Sequence, residues 1–232
     1  MQVVYVCGGK GHRLRPRPAG GKSLVPVGGA SLLTRLVDRF APYHRSNKPP
    51  VVIVDAADAE TRRVVDARLP GACVVAQPHA DGVANALLLA RPVLDRTVLV
   101  TLGDLFLHGT LSAVELRPSL VVWSEADATD VRRNFGVVFG AGAVSRVVEK
   151  PRDCVGMQCG IGVYVLTPPV ISCFHAAAID VRTGERGITE GLQAAIEAGV
   201  DFHVVRFSGY YRNVNSRADV AAVEDYLARP VR

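Results

Sequence analysis

Short apolar runs alternate with amphipathic stretches along the first part of the chain. Val3–Val6 is continuous and β-branched, the pattern of a strand covered on both faces. Ser31 is placed to cap a helix. Its apolar positions Leu32, Leu33, Leu36, Val37 and Phe40 fall on one side of a 3.6-residue turn. The same alternation predicts strands at Val51–Val54, Ala72–Ala76 and Thr97–Leu102, the last ending at Gly103-Asp104. Helices are predicted over Asp58–Leu69 and Val83–Leu94, the second disturbed at Pro92. Strands followed by helices of this length imply a parallel sheet, with ligands at the carboxyl ends of the strands.

Past Leu120 the rhythm changes. Val121–Ser124, Gly136–Phe139, Val144–Glu149 and Gly162–Leu166 read as strands with little helix between them. A helix over Thr189–Ala198, a strand over Phe202–Phe207 and a helix near Ala218–Leu227 follow. No Pro-, Gly- or Ser-rich linker and no internal repeat divides the chain. The expectation is one domain, 1–232, in two halves, 1–120 and 121–232.

Apolar residues make up 49% of the 232 and charged residues 21%, which excludes a disordered chain. No run approaches the roughly 18–20 apolar residues of a membrane helix. The first residues enter a strand without a basic segment or cleavage site, so a secretory signal is not expected and a cytoplasmic protein is. Five cysteines without a CxxC pair read as reduced thiols, and six histidines without HExxH argue against zinc.

Charge sharpens the picture through its placement. The net charge is +5. Before Asp38 there is no acid, yet Lys10, Arg13, Arg15, Arg17, Lys22 and Arg35 are basic. Aromatics are only 6% and none interleaves with this cluster, so no base-stacking platform for nucleic acid is visible. A pocket for small polyanions fits better.

That cluster coincides with a glycine loop directly after the first strand: Cys7-Gly8-Gly9-Lys10-Gly11-His12-Arg13-Leu14-Arg15-Pro16, then Lys22 and Leu24-Val25-Pro26-Val27. Glycines let backbone N–H groups approach a phosphate without a Cβ in the way. Arg13 and Lys22 add charge for a triphosphate. Two better-known loops fail here. A dinucleotide fingerprint wants glycine where Leu14 stands. A P-loop ending in Gly21-Lys22-Ser23 would need glycine at Pro16, and Pro26 breaks the helix that must follow.

Gly8-Gly9-x-Gly11-x-Arg13-Leu14-x-Pro16, the later lysine and Leu-x-Pro-Val strongly resemble the signature of the sugar-phosphate nucleotidylyltransferases. The resemblance runs along nearly the whole chain. Gln77-Pro78 with Gly82-Val83-Ala84 is similar to the base-recognition segment. Gly103-Asp104 resembles the metal motif, and Phe135-Gly136-Val137-Val138 the sugar-contacting strand. Glu149-Lys150-Pro151 matches the Glu-Lys-Pro motif, and Gly162-Val163-Tyr164 the Gly-x-Tyr strand. Gly184-Glu185 and Ile188-Thr189-Glu190 resemble Gly-Glu and Ile-Thr-Asp.

The resemblance implies a Rossmann-like three-layer α/β/α sandwich with a mixed, mostly parallel central sheet. Residues 1–120 would bind nucleotide and 121–232 sugar phosphate. It implies attack by a sugar 1-phosphate oxygen on the α-phosphorus of a nucleoside triphosphate, UTP or dTTP, releasing pyrophosphate. Cys7, Gly8, Gly9, Gly11, Gln77 and Gly82 would hold the nucleotide, with the Gln77 amide offering a donor and an acceptor to the pyrimidine edge. Arg13 and Lys22 would hold the triphosphate, and Asp104 a Mg²⁺ ion. Gly136 and Glu149 would meet the sugar and Lys150 its phosphate. Neither nucleic acid nor membrane is expected as a partner, and self-association is left open.

One stretch departs from the family. Many members carry a second aspartate in Trp-x-Asp-x-Gly-Thr, where this chain has Tyr211-Arg212-Asn213-Val214-Asn215-Ser216. Val214-Asn215-Ser216-Arg217 is similar to the Val-Asn-x-Arg of N-acetylglucosamine-1-phosphate uridylyltransferases. An amide oxygen of Asn213 or Asn215 can then complete the metal site without charge. The rival expectations are a cytidylyltransferase acting on a non-sugar phosphate or phosphonate, and a regulator that binds nucleotide sugars without turning them over.

Overall fold

The computed structural model describes residues 1–9, 14, 20–44, 47–140, 142–181 and 183–229. Gly11 and Arg13 lie outside these described residues. The chain runs β1 (Gln2–Val6), β2 (Pro26–Val27), β3 (Ala30–Ser31), α1 (Leu32–Phe40), β4 (Val51–Asp55), α2 (Ala59–Arg68), β5 (Cys73–Gln77), α3 (Val83–Ala90), β6 (Val98–Leu102) and β7 (Leu105–Leu111). It continues with β8 (Ser119–Trp123), α4 (Ala128–Arg133), β9 (Phe135–Gly140), β10 (Ala143–Glu149), β11 (Gln158–Leu166), α5 (Pro168–Cys173), α6 (Ile188–Glu197), β12 (His203–Asn213) and α7 (Arg217–Leu227).

One sheet organises the molecule, in the order β5-β4-β1-β6-β11-β8-β12-β7, with β9 joining β11 and β10 joining β9. β5, β4, β1 and β6 are parallel. β11 runs against both β6 and β8, while β12 lies parallel to β8 and against β7. The sheet is therefore mixed and mostly parallel.

The strand alternation explains the layers. Val4 and Val6 of β1 pack on one face with Leu87 of α3, Ile171 of α5 and Leu192 of α6. Val3 and Tyr5 point the other way, against Leu33, Leu36 and Phe40 of α1 and Val65 of α2. Burying a large apolar side chain of this kind contributes about 1.5–3 kcal/mol, so β1, covered on both faces, anchors the parallel half. Asp58 and Ser31 cap α2 and α1 by accepting from Thr61 N–H and Thr34 N–H. A third cluster, with Val27, Leu32, Phe106, Val214 and Val223, seats α7 beside the β2–β3 hairpin.

Several boundaries differ from the sequence pattern. α3 stops at Ala90 and passes into a tight 3₁₀ turn over Arg91–Val93, since Pro92 supplies no N–H for the α-helical ladder. β11 starts at Gln158, not Gly162, and β12 continues past Phe207 to Asn213. β7 follows Asp104 directly and pairs with that added part of β12.

Candidate active site

The site grows from the carboxyl ends of β1 and β6. Gly103 N–H donates to Val6 O at 2.8 Å. A Cβ on Gly103 would lie 2.9 Å from Cys7 Sγ, so a side chain there would push the strand ends apart. This contact delivers Asp104 to the rim of the sheet. The Cys7 thiol beneath it is fully enclosed, and burial pushes it up to about 12. It is neutral near pH 7 and unsuited to act as a nucleophile.

The chain returning from the glycine loop is pinned twice. Gly21 N–H donates to Asp58 Oδ2 at 2.8 Å, and Lys22 N–H to Gly9 O at 3.3 Å. Lys22 Nζ then donates to Asn215 Oδ1 at 2.5 Å and stands 3.5 Å from Asp104 Oδ2. Asn215 Nδ2 donates to Asn213 Oδ1 at 2.8 Å. Val214 N–H donates to Asp104 O at 2.8 Å, which ties this end of β12 to Asp104. Asp219 of α7 fixes the asparagine turn by accepting from Asn215 N–H at 3.1 Å, Ser216 Oγ at 2.7 Å and Arg212 Nε at 2.9 Å. Burial alone would raise its carboxyl. The hydrogen bonds from Ser216 and Asn215, with Arg212 beside it, hold it below the usual carboxylate value.

A second group sits at the end of β5. Gln77 is buried, and its Nε2 donates to Asp81 Oδ1 at 2.7 Å and to Gly82 O at 3.2 Å. Its Oε1 lies against the glycine loop, 2.6 Å from where a Cβ on Gly8 would be. The amide therefore does not present a free donor beside a free acceptor, as the sequence suggests; its N–H groups are already taken. Gly82 has φ +107°, and a Cβ there would fall 2.2 Å from Arg186 O. Glycine is needed at this position because the start of α3 packs on the Arg186 backbone. Ala84 N–H donates to Arg186 O at 3.1 Å and Arg186 N–H to Asp81 O at 2.8 Å.

A third group lies on the β9–β10 hairpin, where Val148 pairs with Gly136 and Glu149 with Phe135. A Cβ on Gly136 would meet Met157 Sδ at 2.5 Å. Glu149 Oε1 is 2.9 Å from Lys150 Nζ, and Oε2 accepts from Thr189 Oγ1 at 2.7 Å. The ion pair thus joins sequence neighbours, not facing strands. Lys150 has φ +41°, the one left-handed non-glycine among the described residues. Such a conformation costs on the order of 1–3 kcal/mol and is retained where its surroundings hold it. Here Lys150 N–H donates to Asn134 O at 2.8 Å, and Tyr211 Oη donates to Asn134 Oδ1 at 2.9 Å. Tyr211, two residues before Asn213, so links the two sides of the site.

Gly8, Gly9, Lys22, Asp104, Asn213 and Asn215 are brought together, Gln77 and Gly82 adjoin them through Gly8, and Gly136, Glu149 and Lys150 share the hairpin. The sequence reading missed Asp58, Asp81 and Asn134, whose roles depend on contacts that no local spacing reveals. A groove of about 430 Å³ lined by Arg117, His203 and Arg206, at the start of β12, contains none of the site residues.

The arrangement has relatives. The family model described as "Nucleotidyl transferase" matches residues 3–227. The chain is 27% identical to the UTP–glucose-1-phosphate uridylyltransferase of Haloferax volcanii, covering 97% of this chain and 93% of that one. It is 28% identical to a glucose-1-phosphate thymidylyltransferase of Streptomyces griseus, covering 96% of this chain and 65% of that one. Among solved structures, the inositol-1-phosphate CTP transferase of T. maritima superposes with a TM-score of 0.78 at 18% identity, over 100% of this chain and 97% of that one.

Proposed function

The chain belongs to the nucleotidyl transferase family, and on that premise we propose that it joins a nucleoside monophosphate from UTP or dTTP to a hexose 1-phosphate. An oxygen of the sugar phosphate bonds to the α-phosphorus, and the bond from that phosphorus to pyrophosphate breaks. Two polyanions must meet, so positioning and charge neutralisation are the main tasks. The observation that carries this reading is the convergence of Lys22, Asp104 and Asn215 at the carboxyl end of the parallel strands.

Each residue then has a task. Lys22 holds the triphosphate beside the backbone of Gly8 and Gly9, and Arg13 and Gly11 join it by sequence. Gln77 and Gly82 face the base from the half spanning 1–120. In the half spanning 121–232, Glu149 accepts from sugar hydroxyls, and Gly136 on the neighbouring strand meets the sugar through its backbone. Lys150 meets the sugar phosphate, and its left-handed backbone is kept by Asn134.

A divalent cation fits this donor set. The ammonium of Lys22 already draws Asp104 Oδ2 and Asn215 Oδ1 toward one point. Mg²⁺ commonly takes one or two carboxylates and completes its shell with phosphate and water. Among the described residues no group of three His, Cys, Asp or Glu could form an all-protein cage. When bound, the ion would neutralise charge on the triphosphate. Asn215 is the better second ligand, because its Oδ1 shares the Lys22 ammonium with Asp104 Oδ2, whereas Asn213 Oδ1 accepts from Asn215 Nδ2. Asn215→Ala should weaken Mg²⁺ binding in the presence of a non-hydrolysable UTP analogue, and Asn215→Asp should tighten it. Asn213→Asp should be nearly silent. Calorimetric titration of Mg²⁺ reads all three, and a response confined to the Asn213 variant would reverse the assignment.

The nucleotide preference is tested by initial rates with UTP, dTTP, CTP, ATP and GTP against one hexose 1-phosphate. UTP or dTTP should be used best. Preference for a purine, or for CTP with a non-sugar acceptor, would overturn the reading.

A further inference from the structure

We infer that Asp81 is a specificity-determining residue: by holding the nitrogen of the Gln77 amide, it leaves the oxygen as the only edge that can face a base. This rests on the base-reading role given to Gln77 above and adds what that role requires. A glutamine amide is ambiguous on its own, since one end donates twice and the other accepts twice. Here the surroundings remove the ambiguity. The end near Asp81 Oδ1 and Gly82 O faces a carboxylate at 2.7 Å and a carbonyl at 3.2 Å. Both neighbours only accept, so the group between them must be the NH₂, and both its hydrogens are used. Oε1 is left toward Gly8, and no donor among the described residues reaches it.

The chemistry of the ligand follows. Uracil and thymine carry an N–H at position 3, a donor that matches a bare acceptor. Cytosine carries a lone pair at the same ring position, which would oppose Oε1, and its donor on that edge is the exocyclic amine at C4, so it must shift in the site to be paired. A site whose acceptor is set for a donor at N3 disfavours an analogue that carries its donor elsewhere, because buried polar groups are left unsatisfied unless the base shifts. The site so built selects a pyrimidine with N3–H over cytosine.

Asp81 is well placed to be tested. Its carboxylate has one hydrogen-bond partner among the described residues, Gln77. The other bonds at this position use its backbone, which accepts from Arg186 N–H and Asn85 Nδ2 and donates to His79 O. An asparagine at 81 can present either a carbonyl or an NH₂ to Gln77, and only the longer bond to Gly82 O, at 3.2 Å, then opposes turning the glutamine to show a donor to cytosine.

The experiment measures kcat/KM for UTP and for CTP, at one sugar 1-phosphate, with wild type, Asp81→Asn, Asp81→Ala and Gln77→Ala. Wild type should favour UTP. Both Asp81 variants should lower the UTP-to-CTP ratio about fivefold or more, while KM for the sugar phosphate stays within twofold. Loss of packing alone would slow both nucleotides alike and leave the ratio unmoved. An unchanged ratio in the Asp81 variants, with a collapsed ratio in Gln77→Ala, overturns the role of Asp81 and leaves the base-reading role of Gln77 standing. No preference for UTP in wild type, or no effect of Gln77→Ala, overturns the base reading itself.

Discussion

Lys22→Ala is expected to lower kcat/KM for the triphosphate by roughly 30- to 1000-fold, about 2–4 kcal/mol of transition-state stabilisation. The expectation comes from where the ammonium is held. Its backbone is pinned by Gly9 and, one residue earlier, by Asp58, so the side chain leaves the loop in a fixed direction. It meets Asp104 and Asn215, the two oxygen donors assigned to the cation. A residue so placed can serve the negative charge that builds up between α- and β-phosphates. Alanine removes the charge without filling the space. Since a Cβ on Gly9 would come within 3.5 Å of Lys22 Cδ, the stem also packs on the loop, and Lys22→Met separates the lost charge from the lost packing. Steady-state kinetics on both variants decide the matter. Wild-type kinetics in Lys22→Met would make the lysine a structural prop and remove it from the reaction.

Asp104→Asn should lower turnover at least tenfold, ~1.4 kcal/mol of barrier, with the melting temperature little changed. The side chain is nearly isosteric, and the contacts that place residue 104 come from its neighbours and its own carbonyl: Gly103 N–H on Val6 O and Val214 N–H on Asp104 O. Those survive the substitution. What is lost is the one carboxylate paired with Lys22 among the described residues, and with it the only negative charge assigned to the cation. Turnover should recover in part at raised Mg²⁺ if the deficit lies in metal affinity. Turnover equal to wild type at limiting Mg²⁺ would take Asp104 out of the site.

Much of the fold was legible because β1, β4 and β6 are buried on both faces. Val4 and Val6 serve one layer of helices, Val3 and Tyr5 the other, and continuous β-branched runs record that directly. The later strands were harder. β7 reads Leu-Phe-Leu-His-Gly-Thr-Leu, with a glycine at its fifth position, and β12 carries Ser208-Gly209 where its apolar pattern lapses. Gly109 and Gly209 face each other across that pair, with φ +151° and +129°. Such residues look like a turn in sequence, yet here they let two backbones lie close. α4 and α5 are six residues each, too short for a helical period to show.

The site divides in the same way. Loop glycines, Lys22, Asp104, Glu149 and Lys150 were visible as residue types in a set order. The choice between Asn213 and Asn215 was not, because it turns on a contact between Lys22 and a residue 193 positions away. The Asp81 contact spans only four residues, but its meaning needs the burial of Gln77 and the carbonyl of Gly82. Asn134 supports Lys150 through a backbone oxygen, which any residue type could supply in sequence terms.

The most direct test of the central claim is product stoichiometry. Purified protein, Mg²⁺, UTP or dTTP and a panel of hexose 1-phosphates are mixed, and pyrophosphate and nucleotide sugar are quantified together. The account predicts one pyrophosphate for each nucleotide sugar formed with at least one hexose 1-phosphate, and neither product when the sugar phosphate is withheld. Binding of nucleotide without either product, across every triphosphate and sugar phosphate in the panel, would contradict it.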